Sequence, residues 1–372
     1  MTDHRKWFLF LLVAAAVATF FYGEISYDES PYDGWDLAAY REMARAAPGL
    51  SESVNAPYAY RILGPYVSGL LPGPDPAGFR SLTIVLSLLV VALLFGLARD
   101  LPARPAAAAL AALLFVMNKR FFGFTAWDYF QVNDLVALVS IVVGYRAALG
   151  RRWTTYAAAL AIGCLAKESP LLILPVAFVS LLETGDLRNE WRRAVAASVP
   201  ALAVFGVLRF AIEPAGGRGL VSAFVDAADK LAYGRTWFRL LVNAFAPVSL
   251  LPLVFWRETV GFFRKRRHGL VFFVLVFVSA LFGINNERLM APAAVVFYPL
   301  IAHILERRLL ERRWFAVALV ACGALSLLHH EFARYPLPSR ELTLALSLGS
   351  LAAVTVASFA VGFGGRKGGV RT

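Results

Sequence analysis

Residues 32–61 begin with Tyr32-Asp33-Gly34-Trp35-Asp36 and end with Pro57-Tyr58-Ala59-Tyr60-Arg61, and they lie between apolar runs at 7–23 and 80–98. The whole polar stretch, 24–80, carries both acids and aromatics. It is too long for a turn between two helices, and it reads as a surface that handles a polar substrate at a membrane face. The flanking sequence supplies the membrane. Hydrophobic residues make up 59% of the chain and charged residues 17%, below the ~25% charged of soluble domains. Apolar windows recur to the end of the chain. We read twelve spans, at 7–23, 80–98, 104–118, 130–149, 153–166, 170–182, 194–212, 238–256, 269–284, 289–305, 314–330 and 342–363. Several approach the ~20 residues that cross the hydrocarbon core. The short fifth and sixth leave a re-entrant hairpin as an alternative for that pair. The expected fold class is an all-α polytopic membrane protein of about 12 transmembrane helices. Residues 1–372 form one integral membrane domain, with 24–80 as its first outer loop and 364–372 as a basic cytoplasmic tail.

Loop charge sets the expected orientation. With the N-terminus inside, the segments 1–6, 99–104, 146–152, 183–193, 257–268, 306–313 and 366–372 are cytoplasmic. They hold 22 of the 37 Lys and Arg and 8 of the 25 Asp and Glu, a sum of +14, against −2 for the rest of the chain. Cytoplasmic loops of membrane proteins carry this cation bias. Merging the fifth and sixth spans inverts every later loop and destroys it. The overall charge of +12 therefore reflects orientation and anionic inner-leaflet lipid, and nucleic acid is not an expected partner. The expected location is a plasma (inner) membrane of bacterial type, with both termini cytoplasmic. His4, Arg5 and Lys6 before an apolar run resemble a signal peptide, but apolar residues continue through Phe20, Phe21 and Tyr22, so an uncleaved anchor is expected. Cys164 and Cys322 lie far apart in apolar spans and support neither a disulfide framework nor a metal site.

The expected outer face gathers the unusual chemistry. The first loop contributes Asp33, Asp36, Tyr40, Tyr58, Tyr60 and Arg61. The turn between the third and fourth spans contributes Lys119, Arg120, Asp128, Gln131 and Asp134. Lys167-Glu168-Ser169-Pro170 and Asn285-Asn286-Glu287-Arg288 lie between tight apolar flanks. Ionisable groups at membrane depth are costly and mark functional cavities, although each adjacent pair also reads as a local ion pair at a helix end. Two readings are open for Asp36. Residues 35–47 place Tyr40, Met43, Ala44 and Ala47 on one helical face, and Asp33 and Asp36 then have the form of a capping box. Alternatively Asp36 faces the cavity as a general base.

The run Asp36-Leu-Ala-Ala-Tyr40-Arg-Glu42-Met43-Ala44 resembles the first-loop motif of the GT-C type integral membrane glycosyltransferases. It is similar above all to the aminoarabinose lipid A transferases and the protein O-mannosyltransferases. The resemblance implies that Asp36, four residues before Tyr40 on a helix along the membrane, is the catalytic base. The pair Lys167-Glu168 before Pro170 and the pair Glu287-Arg288 also look like the family's pattern. As architecture the resemblance covers about the first 310 residues. The chain departs from the family in two places. Leu37 stands where many members have a second acid, and no outer soluble domain is expected after the twelfth span.

This resemblance implies a polyprenyl-phosphate sugar as donor and a lipid, glycan or protein as acceptor, with transfer of a hexosyl or pentosyl group on the non-cytoplasmic face. The donor presents its phosphate at the outer surface, so cations there must hold the diester and stabilise the leaving phosphate. Arg61, Lys167 and Arg288 are the candidates, with Glu168 beside them. Asp33, Tyr40, Tyr60, Asp128, Asp134 and Glu287 are expected in support. No cofactor is expected. A divalent metal finds no support, because His329-His330-Glu331 reads as the end of a helix on which adjacent histidines point apart. Two other classes remain open: a transporter or flippase of a lipid-linked or small polar substrate, for which Pro247 and Pro252 are the relevant features, and a non-enzymatic subunit of an envelope complex.

Overall fold

A computed structural model describes residues 3–25, 36–73, 76–101, 103–216, 220–283, 285–309 and 312–364. Asp33 and all but the first residue of the 364–372 tail lie outside the described residues. Within them the fold is helical, and β pairing is confined to one bridge between Tyr22 and Ala333. Around that bridge the Gly23 N–H donates to Phe332 O at 2.6 Å and the Arg334 N–H to Phe21 O at 2.8 Å, tying the end of the first helix to a segment near the other end of the chain.

Among the described residues, six helices are long and apolar enough to cross a bilayer: Asp3–Phe21, Ala77–Arg99, Tyr129–Leu149, Leu187–Ala211, Asn286–Arg308 and Arg340–Gly362. Pro105–Val116 and Lys119–Trp127 make a further span if their 44° bend is counted within it. Trp153–Ala166, Ser169–Thr184, Arg267–Leu281 and Arg313–Leu325 are shorter apolar helices. The expected span at 238–256 is not one helix. It divides into a π-turn at Phe238–Asn243, a single turn at Leu251–Val254 and an amphipathic helix at Trp256–Arg264. Pro247 and Pro252 lie within it, and neither has the N–H that an unbroken helical ladder needs. The expected count of about 12 transmembrane helices is therefore not reached by continuous helices among the described residues.

Ion pairs sort the connecting segments onto two faces. On one, Arg146 meets Asp100 at 2.8 Å, Arg104 meets Glu306 at 2.8 Å and Arg151 meets Asp186 at 3.1 Å, while His268 pairs with Glu183 and Arg308 with Glu258. All ten residues belong to the segments grouped by the charge count. On the other, Arg80 meets Glu24 at 2.6 Å, Arg61 meets Glu168 at 2.8 Å and Arg239 pairs with Glu287. The broken 238–256 stretch still joins the two faces, through Arg239 at one end and Glu258 at the other.

Pro105–Val116 runs through the middle of the bundle, and Ala107, Ala108, Ala109, Ala111 and Ala112 on it are all buried. Small side chains let neighbouring backbones approach where lipid gives no hydrophobic drive between helices. The helix stops at Asn118, whose side-chain oxygen accepts from the N–H of Arg120 at 2.8 Å and of Phe121 at 3.0 Å. Its amide donates to Ala244 O at 2.8 Å and to the Tyr298 hydroxyl at 3.2 Å. One buried asparagine thus holds the bend in one segment against the break in another.

The first loop lies down on this bundle as two helices, Asp36–Ala46 and Leu63–Leu70. Of the apolar face read from the sequence, Tyr40 and Met43 are buried and Ala44 and Ala47 half-buried; Leu37, outside that face, is buried as well. Segment 54–56 closes over it by pairing with 215–216, Ala56 N–H to Gly216 O at 2.8 Å and Ala215 N–H to Val54 O at 3.2 Å. Glycine makes the docking close. A Cβ on Gly69 falls 2.0 Å from Ala44 O, and one on Gly78 falls 2.1 Å from Ser68 O. Gly69→Ala is therefore expected to cost about 1–3 kcal/mol, the range for overpacking, read as a lower unfolding midpoint of the detergent-purified protein. Gly206→Ala, where a Cβ meets nothing within 4 Å, is the control and is expected to hold or raise the midpoint. Equal effects of the two would contradict this packing.

Candidate active site

Four chain breaks deliver charge to one place. Asp36 heads the helix Asp36–Ala46. Asp128 sits in the kink between Phe124–Trp127 and Tyr129–Gln131, with Asp134 one turn further on. Lys167 is extended (φ −166°, ψ 159°) between Trp153–Ala166 and the turn Ser169–Leu172. Arg288 lies in the single turn Asn286–Leu289. Tight packing fixes two of these breaks. A Cβ on Gly163 would fall 2.6 Å from the Pro170 ring, so glycine lets the chain fold back beside Lys167. Asn286 donates to Ala280 O at 2.6 Å and to Gly283 O at 3.2 Å, which anchors the turn that bears Arg288.

The charges interlock as a chain. Lys167 Nζ donates to Asp134 Oδ1 at 2.5 Å, and the other oxygen of Asp134 lies 3.5 Å from Arg288 Nε. Arg288 Nη1 lies 3.7 Å from Asp36 Oδ2, and its guanidinium sits 5.2 Å from the centre of the Phe124 ring. Arg61 Nη2 donates to Glu168 Oε1 at 2.8 Å, while Nη1 reaches the Tyr40 hydroxyl at 3.5 Å. Asn133 bridges the Arg61 segment to the Tyr129–Leu149 helix: its amide donates to Arg61 O at 2.9 Å and its oxygen accepts from Gly64 N–H at 2.9 Å. Asp36, Arg61, Lys167 and Asp128 are 5%, 8%, 7% and 0% exposed, so the cluster is a buried one. Glu168 is its open edge, with a side chain 42% exposed.

The environment separates the carboxylates. Burial pushes the Glu168 carboxyl up, but Arg61 and Lys167 outweigh it and hold the group down at about 2. Burial, followed by the neighbouring Asp36 charge, pushes Asp128 up to about 7; Gln131, donating to Asp128 Oδ2 at 3.0 Å, opposes the shift. Burial lowers Lys167, and Asp134 opposes it without restoring the ordinary value. Burial also raises the Tyr40 phenol, so it remains neutral and accepts from Arg61. Asp36 Oδ2 and Asp128 Oδ1 are buried without hydrogen-bond partners among the described residues. Two carboxylate oxygens unclaimed by hydrogen bonds, next to three cations, form an arrangement that can take a proton and hold a developing anion.

The expected residues thus converge, with two exceptions and one revision. Tyr60 is set aside under Arg209, whose guanidinium carbon lies 4.9 Å from the ring centre. Glu287 turns away from Arg288 and is held by Arg239 Nε at 2.6 Å and Asn243 Nδ2 at 3.1 Å. Neither adjacent pair is a local ion pair, since Lys167 and Arg288 both turn to Asp134. The sequence reading missed Asn133, Arg239 and Asn243. For Asn133 the available signal was an amide beside Asp134 in an otherwise apolar run.

The description of His329-His330-Glu331 as a helix end with diverging histidines is also corrected. The helix Arg313–Leu325 stops earlier, the two imidazoles stack with centroids 4.5 Å apart, and ligand-type atoms of all three residues lie within 4.8 Å of one another. His329 Nδ1 is already used, accepting from the N–H of Glu331 at 3.0 Å and of Phe332 at 3.1 Å.

The sequence matches no family model and no curated protein. The fold does have solved counterparts. The structure of ArnT from Cupriavidus metallidurans in the apo state superposes with a TM-score of 0.53 at 17% identity, covering 97% of this chain and 75% of that one. The structure of the same protein bound to undecaprenyl phosphate gives 0.50 at 16% identity, covering 96% and 75%. ArnT is an aminoarabinose lipid A transferase of GT-C type, one of the groups that the Asp36–Ala44 motif resembles, and the chain shares its fold.

The cluster generates two expectations. Lys167→Met strips a partner from a buried pair and should cost about 3–5 kcal/mol. Combined with Asp134→Leu, the loss should be well below the sum of the single variants in thermal unfolding, and strict additivity would show that the pair is not formed. Asp128, with a folded value of about 7 against an ordinary 3.8, binds its proton more tightly in the native state. Its contribution to stability is therefore full below about 4 and lost as pH rises through about 7. Asp128→Asn should flatten that part of the stability–pH curve, and an unchanged slope would rule out Asp128 as its source.

Proposed function

We propose that this protein is a glycosyltransferase of GT-C type that moves a sugar from a polyprenyl-phosphate donor to an acceptor on the non-cytoplasmic face of a bacterial-type inner membrane. The observation that carries the reading is the burial of Asp36, with one oxygen free of hydrogen bonds, against Arg288 in the cluster that also holds Arg61 and Lys167. The likeness in fold to ArnT, of which one structure is bound to undecaprenyl phosphate, supports a lipid-linked phosphate as the donor's anchor.

The division of labour follows from the chemistry. Asp36 Oδ2 takes the proton of the acceptor nucleophile as that atom bonds to the anomeric carbon. The bond from the anomeric carbon to the phosphate oxygen breaks with its electron pair on the phosphate. Arg61, Lys167 and Arg288 stabilise the charge that develops there, in a dry site where such contacts outweigh their value in water. Each cation is held by a carboxylate beforehand, so the donor phosphate exchanges with Glu168 or Asp134 rather than meeting bare charge. Glu168, at the exposed edge, is the partner best placed to yield. No step assigned to these residues calls on a metal.

The orientation belongs to the same reading. The face that carries Asp100, Arg104, Arg146, Arg151 and Arg308 is the cytoplasmic one by its cation excess, and the Asp36 cluster faces outward. An impermeant thiol reagent should modify single cysteines placed in 36–62 of intact cells and spare those at 257–268; the reverse pattern would sink the orientation.

A transporter finds one specific observation in its favour, the bend at Asn118 facing the break at Ala244, since broken helices face one another across transporter sites. Chemistry separates the two. Asp36→Asn should reduce transfer by about 10²–10⁴-fold, with folding near normal. Asp33→Asn should be mild, because asparagine caps a helix about as well as aspartate. The readout is restoration of the lipid and glycan profile of a deletion strain by each variant. Full restoration by Asp36→Asn, or equal failure of both variants, would remove Asp36 from the chemistry.

A further inference from the structure

Beyond Glu287, on the same face as the Asp36 cluster, a cavity of about 520 Å³ is lined by Arg120, His329, His330, Glu331 and Arg340. Its charges are not balanced as those of the Asp36 cluster are. There, three cations stand among four carboxylates. Here, Arg120 and Arg340 line the wall and neither enters an ion pair within 4 Å among the described residues. Arg120 Nε is buried with no hydrogen-bond partner. Lys119, adjacent in sequence, spends its ammonium on the neutral hydroxyl of Ser347. The nearby Glu287 is already committed to Arg239 and Asn243. Glu331 is the one acid in the wall.

The histidines add donors. Because His329 Nδ1 accepts two backbone N–H groups, its proton resides on Nε2, which makes the ring a fixed donor at that atom. Burial, then the charges of Lys119 and Arg120, push His329 down to about 2, so it remains neutral at physiological pH. His330 Nδ1 lies 3.1 Å from the Thr343 hydroxyl, and His330 N–H donates to the same oxygen at 3.0 Å. The spacing of the three ligand-type side chains would suit a divalent cation. The surroundings would not: Lys119, Arg120 and Arg340 oppose a second positive charge, and two of the four imidazole nitrogens, Nδ1 of His329 and Nδ1 of His330, are already occupied.

We infer that this cavity is an oxyanion site that takes the phosphate of a phosphate ester, gripped by Arg120 and Arg340 with donors from the histidine pair. Guanidinium groups present planar, paired N–H donors that match phosphate oxygens, and a buried N–H without a partner, as at Arg120 Nε, is costly until such a partner arrives. The source of the phosphate is either a lipid headgroup in the outer leaflet or a freely diffusing phosphate. The inference stands apart from the transferase reading, because it concerns binding at residues that reading does not use.

The test uses the full chain reconstituted in nanodiscs of phosphatidylcholine or of phosphatidylglycerol, with inorganic phosphate titrated calorimetrically. In phosphatidylcholine, phosphate should bind, and Arg120→Gln and Arg340→Gln should each weaken it by about tenfold or more, the effect of losing about 1.4 kcal/mol. Arg193→Gln, 70% exposed on the opposite face, should leave that titration unchanged. Arg340 is exposed, so Arg340→Gln remains informative if Arg120→Gln fails to fold. If the natural source is a headgroup, phosphatidylglycerol should compete the phosphate signal away in the wild type; if it is a soluble phosphate, the signal should persist in both lipids. Three results would overturn the inference: no phosphate binding in phosphatidylcholine, binding that Arg340→Gln leaves intact, or zinc or manganese binding at His329–Glu331 in place of phosphate. Loss of transfer in Asp36→Asn with an intact phosphate titration would leave this site standing on its own.

Discussion

Asp134 is shared between two cations that arrive from different breaks in the chain. Lys167 comes from the reversal between two short helices, and Arg288 from the turn that opens a long buried one. A carboxylate this deep is tolerable only when paired, and the pairing holds three helix ends in register. Arg288 then extends the chain to Asp36, which fixes the first-loop helix on the bundle, and Arg61 draws in Glu168 and Tyr40 from the opposite side. None of these side chains meets its partner within its own element. The geometry of the cluster is therefore a property of the assembled bundle, and any element that shifts takes a counter-charge with it.

The parts legible in the sequence were those governed by periodicity and composition. The face of the helix Asp36–Ala46 was readable in part because burial repeats with the helical period: Tyr40 and Met43 are buried and Ala44 half-buried, while the burial of Leu37 was not read. The sorting of charged segments onto two faces was readable because it depends on sums over loops. Partner choice was not. Lys167-Glu168 and Glu287-Arg288 looked like neighbouring ion pairs, but successive side chains leave the backbone in different directions, and each of the four meets a residue far away in sequence. Asn133 and Arg239 enter only through those distant partners. His329 and His330 were misread because the helix was assumed to continue, and once it stops, the two rings are free to stack.

The broken segment 238–256 shows how a crossing survives without a continuous helix. Non-helical backbone at membrane depth is tolerated where protein covers it and supplies hydrogen bonds. Asn118 does this for Ala244, and the aromatic groups of Phe121 and Phe297 cover Phe245 beside it, with centroids 5.2 Å and 4.0 Å away. The bend in one segment and the break in the other are thus a single feature, held by one amide. The bent segment after Asn118 touches both polar sites, through Arg120 in the wall of the arginine-lined cavity and Phe124 under Arg288.

The bridge between Tyr22 and Ala333 bears on the order of assembly. The first helix is made and inserted early, yet the backbone groups at its C-terminal end find their partners in residues more than 300 positions later in the chain. Until then the N–H of Gly23 and the carbonyl of Phe21 depend on water at the membrane surface. Ile25, whose N–H reaches Trp127 O at 3.0 Å, is the earlier of the two anchors and belongs to the bend at Asn118. The C-terminal end of the first helix therefore closes in two stages, first onto the bend and last onto the segment that carries the stacked histidines. A nascent chain halted between those stages has its membrane spans laid down but this end of the first helix still unsealed.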